Sequence, residues 1–383
     1  MQISIVTTMG VLPWAGSEEL WFLAALAMAE HGTQVEVCYP VIRGWAPKMD
    51  TLRQAGIEIH GYGTHNHRLN GWTSAFNAKF RGSQGQLPFP SPGNWKQADL
   101  VVVSQGGISD GLGWIEYLAQ NGLPFAIICQ ANTVASWPDD LLAARLRAAY
   151  SAAKRVFFVS EDNLRLFRTQ TAYDVNNAEV IWNPLQSGTP ALPLPWPGGQ
   201  ETVLKLAMVG RMEPFAKGQD LLIEALADPE IRKLPIEVNL HCHGPWEATC
   251  RRLIEQLDLD RVKLAPYATP EEIWTLNHAL LLPSRHEGMS LAMLEAMWLG
   301  RPVIATAVAG AISEIIDGES GFLIPGASTA LVIDALRSAW EQRHRLESMG
   351  TQAAERLRNR MPADPGSTLA GKLAALGGNP LQS

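Results

Sequence analysis

Two glutamates eight residues apart, Glu287 and Glu295, lie in the run Arg285-His286-Glu287-Gly288-Met289-Ser290-Leu291-Ala292-Met293-Leu294-Glu295. The apolar stretch Ala279-Leu280-Leu281-Leu282-Pro283 ahead of it reads as a buried strand. Ser290 is placed to cap a helix that runs to Leu299 and is stopped by Gly300 and Pro302. Glu287 then falls at a strand-to-helix corner. Eight residues is a little over two helical turns, so Glu295 faces roughly the same way from further along the axis. The amides of Ser290, Leu291 and Ala292 lie between the two carboxylates, pointed at whatever docks there. Such a corner holds an anion on its amides while its carboxylates accept hydrogen bonds from hydroxyls.

A second chemical segment is Gly210-Arg211-Met212-Glu213-Pro214-Phe215-Ala216-Lys217-Gly218. It follows the strand-like run Leu204–Val209 and precedes a helix-like one, which puts two cations in a loop at a strand's carboxyl end. Taken alone, Arg211 and Lys217 read equally well as solvated surface cations, and Glu287 and Glu295 as the solvated face of a helix.

Together the two segments resemble retaining glycosyltransferases of family 4, which have the GT-B fold. The E-x7-E signature continues here through Leu299-Gly300-Arg301-Pro302-Val303-Ile304-Ala305-Thr306 and Gly310, and the cationic loop is similar to the family's G-R-x-x-x-x-K-G. The resemblance implies a nucleotide diphosphate sugar as donor, a saccharide or lipid-linked acceptor, and no cofactor or metal ion. It implies that Glu295 holds the ribose hydroxyls and Glu287 those of the transferred sugar. Arg211 and Lys217 would bind the diphosphate and neutralise the charge that builds on the leaving group. The backbone at Gly288, Met289, Ser290 and Leu291 would help to hold phosphate, and Gly244 would lie in a turn near the nucleotide.

The first half carries weaker counterparts. In the loop Gly10-Val11-Leu12-Pro13-Trp14-Ala15-Gly16 the family has a Gly-Gly pair near the donor phosphates; Gly16 matches and Ala15 departs from the pattern. The loop also lacks the G-x-G-x-x-G of a nicotinamide dehydrogenase. Gln130 follows the strand Phe125–Cys129, where the family often has a histidine near the reacting sugar; an amide donates and accepts hydrogen bonds but does not titrate. Val159-Ser160-Glu161 and Ile181-Trp182-Asn183 resemble family segments and read as structural, with Ser160 capping a helix. His241 and His243 share one strand face but suggest no third metal ligand, and Asp258-Leu259-Asp260 reads as a solvated turn.

The whole chain agrees with an enzyme of two domains. At 383 residues it exceeds the size at which a single core stops growing. With 46% hydrophobic and 18% charged residues it is not a disordered chain. A formal charge of −7 argues against general nucleic-acid binding. Cys38, Cys129, Cys242 and Cys250 have no C-x-x-C spacing and read as reduced core thiols of a cytoplasmic protein. Met1 leads directly into a strand, so no signal peptide is expected. The longest apolar run, Leu20 to Ala29, is about half of the roughly 20 residues that span a bilayer.

Strand-like and helix-like runs alternate throughout, which is the pattern of an α/β fold with parallel sheets. Residues 1–185 read as one doubly wound, Rossmann-like domain and 201–360 as a second. Between them, residues 186–200 contain Pro190, Pro193, Pro195 and Pro197 with Gly188, Gly198 and Gly199, a composition suited to a linker. By the resemblance, the first domain binds the acceptor and the second the nucleotide sugar, across a cleft between them, and the tail 361–383 crosses back to the first domain as a helix. Strand Pro302–Thr306 and a helical region from Thr329 towards Asn359 complete the second domain.

From Ile59 to Ala98 there is no aspartate or glutamate, while Arg68, Lys79 and Arg81 occur among aromatic residues. In an acidic chain this bias suggests contact with an anionic acceptor or with an acidic membrane surface, giving peripheral association at the inner face; a loop with no such role fits it equally. The reading that follows is a retaining, metal-independent glycosyltransferase of cell-surface polysaccharide or glycoconjugate synthesis. An epimerase or hydrolase on the same fold, or a non-catalytic nucleotide-sugar-binding protein, stands as the alternative.

Overall fold

The computed structural model describes residues 1–9, 14–40, 46–62, 94–186, 188–378 and 380. The chain divides into two compact units, Met1–Pro184 with Pro362–Ser383, and Leu185–Met361.

In the first unit, β1 (Gln2–Thr7), β2 (Gln34–Pro40), β3 (Glu58–Tyr62), β4 (Leu100–Gly107), β5 (Phe125–Ala131), β6 (Arg155–Phe158) and β7 (Ala178–Val180) form one sheet in the order β3-β2-β1-β4-β5-β6-β7. Every pairing is parallel. Its central strands are unbroken apolar runs, Leu100–Val103 and Phe125–Cys129, because a parallel sheet covered by helices is dry on both faces. The helices α1 (Glu19–Glu30), α2 (Lys48–Gln54), α3 (Leu112–Gln120), α4 (Asp140–Ala152) and α5 (Glu161–Thr171) follow strands in turn. β7 has no apolar run of its own; it is ordered by pairing Ala178 with Val156 through Val180 with Phe158.

The second unit repeats the design. β8 (Leu204–Arg211), β9 (Ile236–His243), β10 (Val262–Leu264), β11 (Ala279–Leu282), β12 (Val303–Thr306) and β13 (Gly321–Ile324) are ordered β10-β9-β8-β11-β12-β13, again all parallel. Its helices are α6 (Pro214–Lys217), α7 (Gln219–Leu226), α8 (Glu247–Gln256), α9 (Pro270–Leu276), α10 (Leu291–Trp298), α11 (Gly310–Glu314), α12 (Thr329–Glu341) and α13 (Leu346–Arg360). The helical region expected from Thr329 to Asn359 is thus two helices, broken at Arg343–Arg345. Both helices touch β13, but α12 packs chiefly on α7 and α13 on α10, and one straight helix would not reach both of those neighbours.

Segment 188–200 is tied into the second unit by Arg301. Its guanidinium, 1% exposed, donates to the carbonyls of Leu194 and Pro195 as well as those of Trp274, Asn277, Leu299 and Gly300. The chain then returns to the first unit as α14 (Pro365–Leu376). This helix lies so close to α1 that a Cβ on Gly366 would come within 2.6 Å of Leu23. No helix among the described residues is long and apolar enough to cross a membrane. Arg68, Lys79 and Arg81, and most of the 59–98 stretch suspected of membrane contact, lie outside the described residues.

Candidate active site

β8 and β11 are neighbours in the middle of the second sheet, with Leu206 opposite Ala279 and Ala207 opposite Leu280. From β8 the connectivity runs to β9 on one side, and from β11 to β12 on the other. Their carboxyl ends therefore form the point where the strand order reverses, which is where open parallel sheets leave a crevice for ligands.

The loops at those two ends are fastened together by backbone. After β8 the chain enters α6, which Pro214 starts and Gly218 ends with φ +74°. A Cβ on Gly218 would sit 2.2 Å from the Pro283 carbonyl oxygen, so glycine is required twice, for its dihedral and for the close approach. The amides of Arg285 and His286 both donate to the Ala216 carbonyl, at 2.8 and 3.1 Å. The Arg285 guanidinium clasps both oxygens of Asp220 at 2.8 and 2.7 Å and also donates to the Pro214 carbonyl.

This fastening brings Lys217 onto Glu287, with Nζ 2.8 Å from Oε1. Ser284 Oγ donates to the same oxygen at 2.8 Å. The two charged side chains are 18% and 11% exposed, so water and salt screen the pair less than they would a surface ion pair. Three residues beyond Glu287, Ser290 Oγ accepts from the Met293 amide and caps α10. The amides of Leu291 and Ala292 are those a helix start leaves without an intrahelical acceptor. Glu295, on the second turn of α10, is 5% exposed.

Other parts of the corner are tightly set. The Gly310 amide donates to the Gly288 carbonyl at 2.9 Å, and a Cβ on Gly310 would lie 2.7 Å from Met289 Sδ. Just before it, Ala309 adopts φ +44°, a conformation that costs alanine energy and that recurs where function demands it. A Cβ on Gly244 would lie 2.6 Å from the Met212 carbonyl, so the turn after β9 fits against the cationic loop. Arg211 pairs with Glu213 at 2.9 Å, while Gln219 holds the Arg211 carbonyl. His286 stacks edge-on against Phe215, centroids 5.0 Å apart. Burial holds its ring below the ordinary histidine range, with Lys217 and Arg285 adding to the effect and Glu213 and Glu287 opposing it.

A family model described as Glycosyl transferases group 1 matches residues 204–342, which contain every group just described. The second unit carries a glycosyl transferases group 1 domain. The chain is also similar to curated relatives over part of its length. It is 34% identical over 168 residues to the D-inositol 3-phosphate glycosyltransferase of Corynebacterium efficiens, covering 40% of this chain and 38% of the relative. It is 33% identical over 171 residues to that of Kribbella flavida, covering 41% and 40%. The matched segment is thus well under half of those relatives' length. Among solved structures, HepE of Anabaena in complex with UDP and glucose aligns with TM-score 0.70 at 16% identity, over 98% of this chain and all of that one. Sucrose-phosphate synthase of Thermosynechococcus elongatus aligns with TM-score 0.66 at 17% identity, over 98% of each chain. At such identities the likeness speaks for the fold, which is GT-B.

In the group 1 domain the structure thus joins Lys217, Glu287, Gly288, Met289 and Ser290 in one corner, while Arg211 faces Glu213 within its own loop. Ser284, Arg285 and Asp220 are the contributors that the sequence reading gave no role. Arg285 was visible only as a neighbour of Glu287, and the pairing with Asp220 spans 65 residues. In the first unit, Gly16 opens the single turn Gly16–Glu18. Behind it Glu18 is buried and accepts from the Thr7 hydroxyl at 2.7 Å. Gln130, the residue before the last of β5, is 5% exposed, and neither atom of its amide has a partner among the described residues. Ser160 caps α5 through the Asn163 amide.

His241 turns to the Pro266 carbonyl and His243 to Glu247. Among the described residues no group of three His, Cys, Asp or Glu could hold a metal ion. Asp258, at φ +51°, forms an exposed turn. The four cysteines are buried and unpaired, and burial pushes the thiols of Cys38, Cys129 and Cys242 up to about 12, which leaves them unreactive.

Proposed function

We propose that this protein is a retaining glycosyltransferase that moves a sugar from a nucleotide diphosphate to a saccharide or lipid-linked acceptor, without a metal ion, in the synthesis of a cell-surface polysaccharide or glycoconjugate. The observation that carries the proposal is the 2.8 Å contact of Lys217 with Glu287 at the switch point of the sheet, beside a capped helix start. One cation, one carboxylate and free amides at a single corner suit a ligand with an anionic and a hydroxylated part.

In this reading Arg211 and Lys217 face the diphosphate, Glu295 binds ribose, and Glu287 orients the hydroxyls of the sugar. The bond from the anomeric carbon to the diphosphate oxygen breaks, and the electron pair leaves on that oxygen, where the cations and the α10 amides stabilise it. The acceptor hydroxyl forms the new bond on the same face and passes its proton to the departing diphosphate. Positioning and charge stabilisation then do most of the chemistry, with no strong protein base. The second unit is the donor domain of this scheme and the first the acceptor domain, in which Gly16 would serve the donor phosphates and Gln130 the transferred sugar.

The naming of relatives as inositol phosphate glycosyltransferases, and of a structure with the same fold as a complex with UDP and glucose, supports this reading and makes uridine donors the first to try. A panel of uridine, guanosine, adenosine and thymidine diphosphate sugars, screened for thermal stabilisation and then for transfer, tests it. A donor that stabilises the protein and yields product with unchanged anomeric configuration by NMR, in the presence of EDTA, is the expected result. Product of inverted configuration would remove the retaining assignment. Activity abolished by EDTA would remove metal independence.

A further inference from the structure

Glu287 lines a small cavity with room for about one water molecule. Four residues that line it carry oxygen on their side chains: Ser284, Glu287, Ser290 and Thr306. Three come from the corner after β11, and Thr306 is the last residue of β12. Thr306 is 2% exposed, and its hydroxyl has no hydrogen-bond partner among the described residues. A buried hydroxyl without a partner is costly and is normally satisfied by ordered water when the space allows it. A single water at this place has hydroxyls and a carboxylate around it, within the two to four polar partners that such waters typically have.

The Glu287 carboxylate makes the site consequential. Lys217 and Ser284 both bind Oε1, at 2.8 Å each, so one oxygen is held from two sides. A carboxylate gripped by one atom still rotates about its terminal bond, which has a broad torsional profile. A further partner in the cavity removes that freedom. We propose that this cavity is a buried water site, and that Thr306, through the water, and Ser284, directly, are positioning residues that fix the Glu287 carboxylate towards the sugar.

The role in turnover rests on the glycosyl-transfer reading, whereas the water site does not. A high-resolution crystal structure of the full chain is expected to show a density peak within hydrogen-bond distance of Thr306 Oγ1 and of at least one of Glu287 and Ser290. An empty cavity overturns the water site.

For the positioning role, Thr306→Val and Ser284→Ala are compared with the wild type on a donor that the wild type turns over. Each is expected to lower kcat by about tenfold through looser orientation, with nucleoside diphosphate affinity by calorimetry and Tm nearly unchanged, and Thr306→Ser is expected to restore kcat. Full kcat in Thr306→Val overturns the role of Thr306. A loss that Thr306→Ser does not restore, or that follows Tm, assigns the residue to packing and overturns it as well. A wild type that turns over none of the donors tested counts against the transfer reading, and the density peak still decides the water site.

Discussion

Lys217 and Glu287, 70 residues apart in the chain, meet at 2.8 Å through a single carboxylate oxygen. The contact is made by the joining of two loops, and each partner restrains the other at the place where a diphosphate and a sugar would lie side by side. Lys217→Ala is expected to lower kcat by about 100-fold or more, in line with removal of one charge-stabilising group, and to leave Glu287 without its cationic partner. Glu287→Gln should reduce turnover as well, and the double variant should lose less than the two effects combined, because the residues act as a unit. Steady-state kinetics on the four proteins checks this. Unchanged turnover in the Lys217 variant removes the residue from the proposed site.

Gly218→Ala tests the fastening of the loops without touching a charge. An added Cβ meets the Pro283 carbonyl at 2.2 Å, and the backbone has φ +74°, so the strand-end contact has to open. We expect a loss of about 2–4 kcal/mol of stability by denaturant titration and weakened nucleotide binding. By contrast Gly188→Ala, at φ +88° with nothing near it, should show the strain alone, about 1 kcal/mol.

Burial raises the Glu18 carboxyl to about 7 from 4.5, with Glu19 adding to the effect and hydrogen bonds from Thr7, Trp21 and Ser17 opposing it. The folded state therefore prefers the protonated acid. Stability falls as pH rises from about 4.5 to about 7, and the loss is complete above that. At 1.36 kcal/mol for each pH unit between the two values, the penalty is about 3 kcal/mol. Glu18→Gln removes the charge, so it should exceed the wild type in stability at pH 8 and converge with it near pH 4. Urea titrations at those two pH values decide the matter; an equal difference at both would exclude a charged Glu18.

Arg301 clamps residues 188–200 within the second unit. Its burial lowers it to about 10, a fall that Glu347 partly offsets, and its six carbonyl partners include Leu194 and Pro195. Arg301→Ala leaves those carbonyls and a cavity, for a loss of about 3–5 kcal/mol in thermal or urea unfolding. Lysine cannot reproduce the planar fork, so Arg301→Lys should recover little. Limited proteolysis should cut residues 188–200 faster in both variants than in the wild type, whereas an unchanged cleavage rate would show that the segment is held by other contacts.

The alternation of apolar runs with amphipathic ones was enough to read two doubly wound parallel sheets, because burial on both faces leaves a compositional mark on every central strand. The Ser290 cap and the stop at Gly300 were equally local and equally legible. β7 was not, since Ala178-Glu179-Val180 owes its order to β6 rather than to its own side chains. Nor was the break at Arg343–Arg345, which answers to the two different neighbours of α12 and α13. At the site, the identities of Arg211, Lys217, Glu287 and Glu295 were visible as types and spacings. The partnership of Lys217 with Glu287, the clasp of Arg285 on Asp220, the second grip of Ser284 and the buried hydroxyl of Thr306 were decided only in three dimensions. They join segments that the parallel order of β8, β11 and β12 makes adjacent, and sequence patterns carry periodicity along one segment but not the register between two.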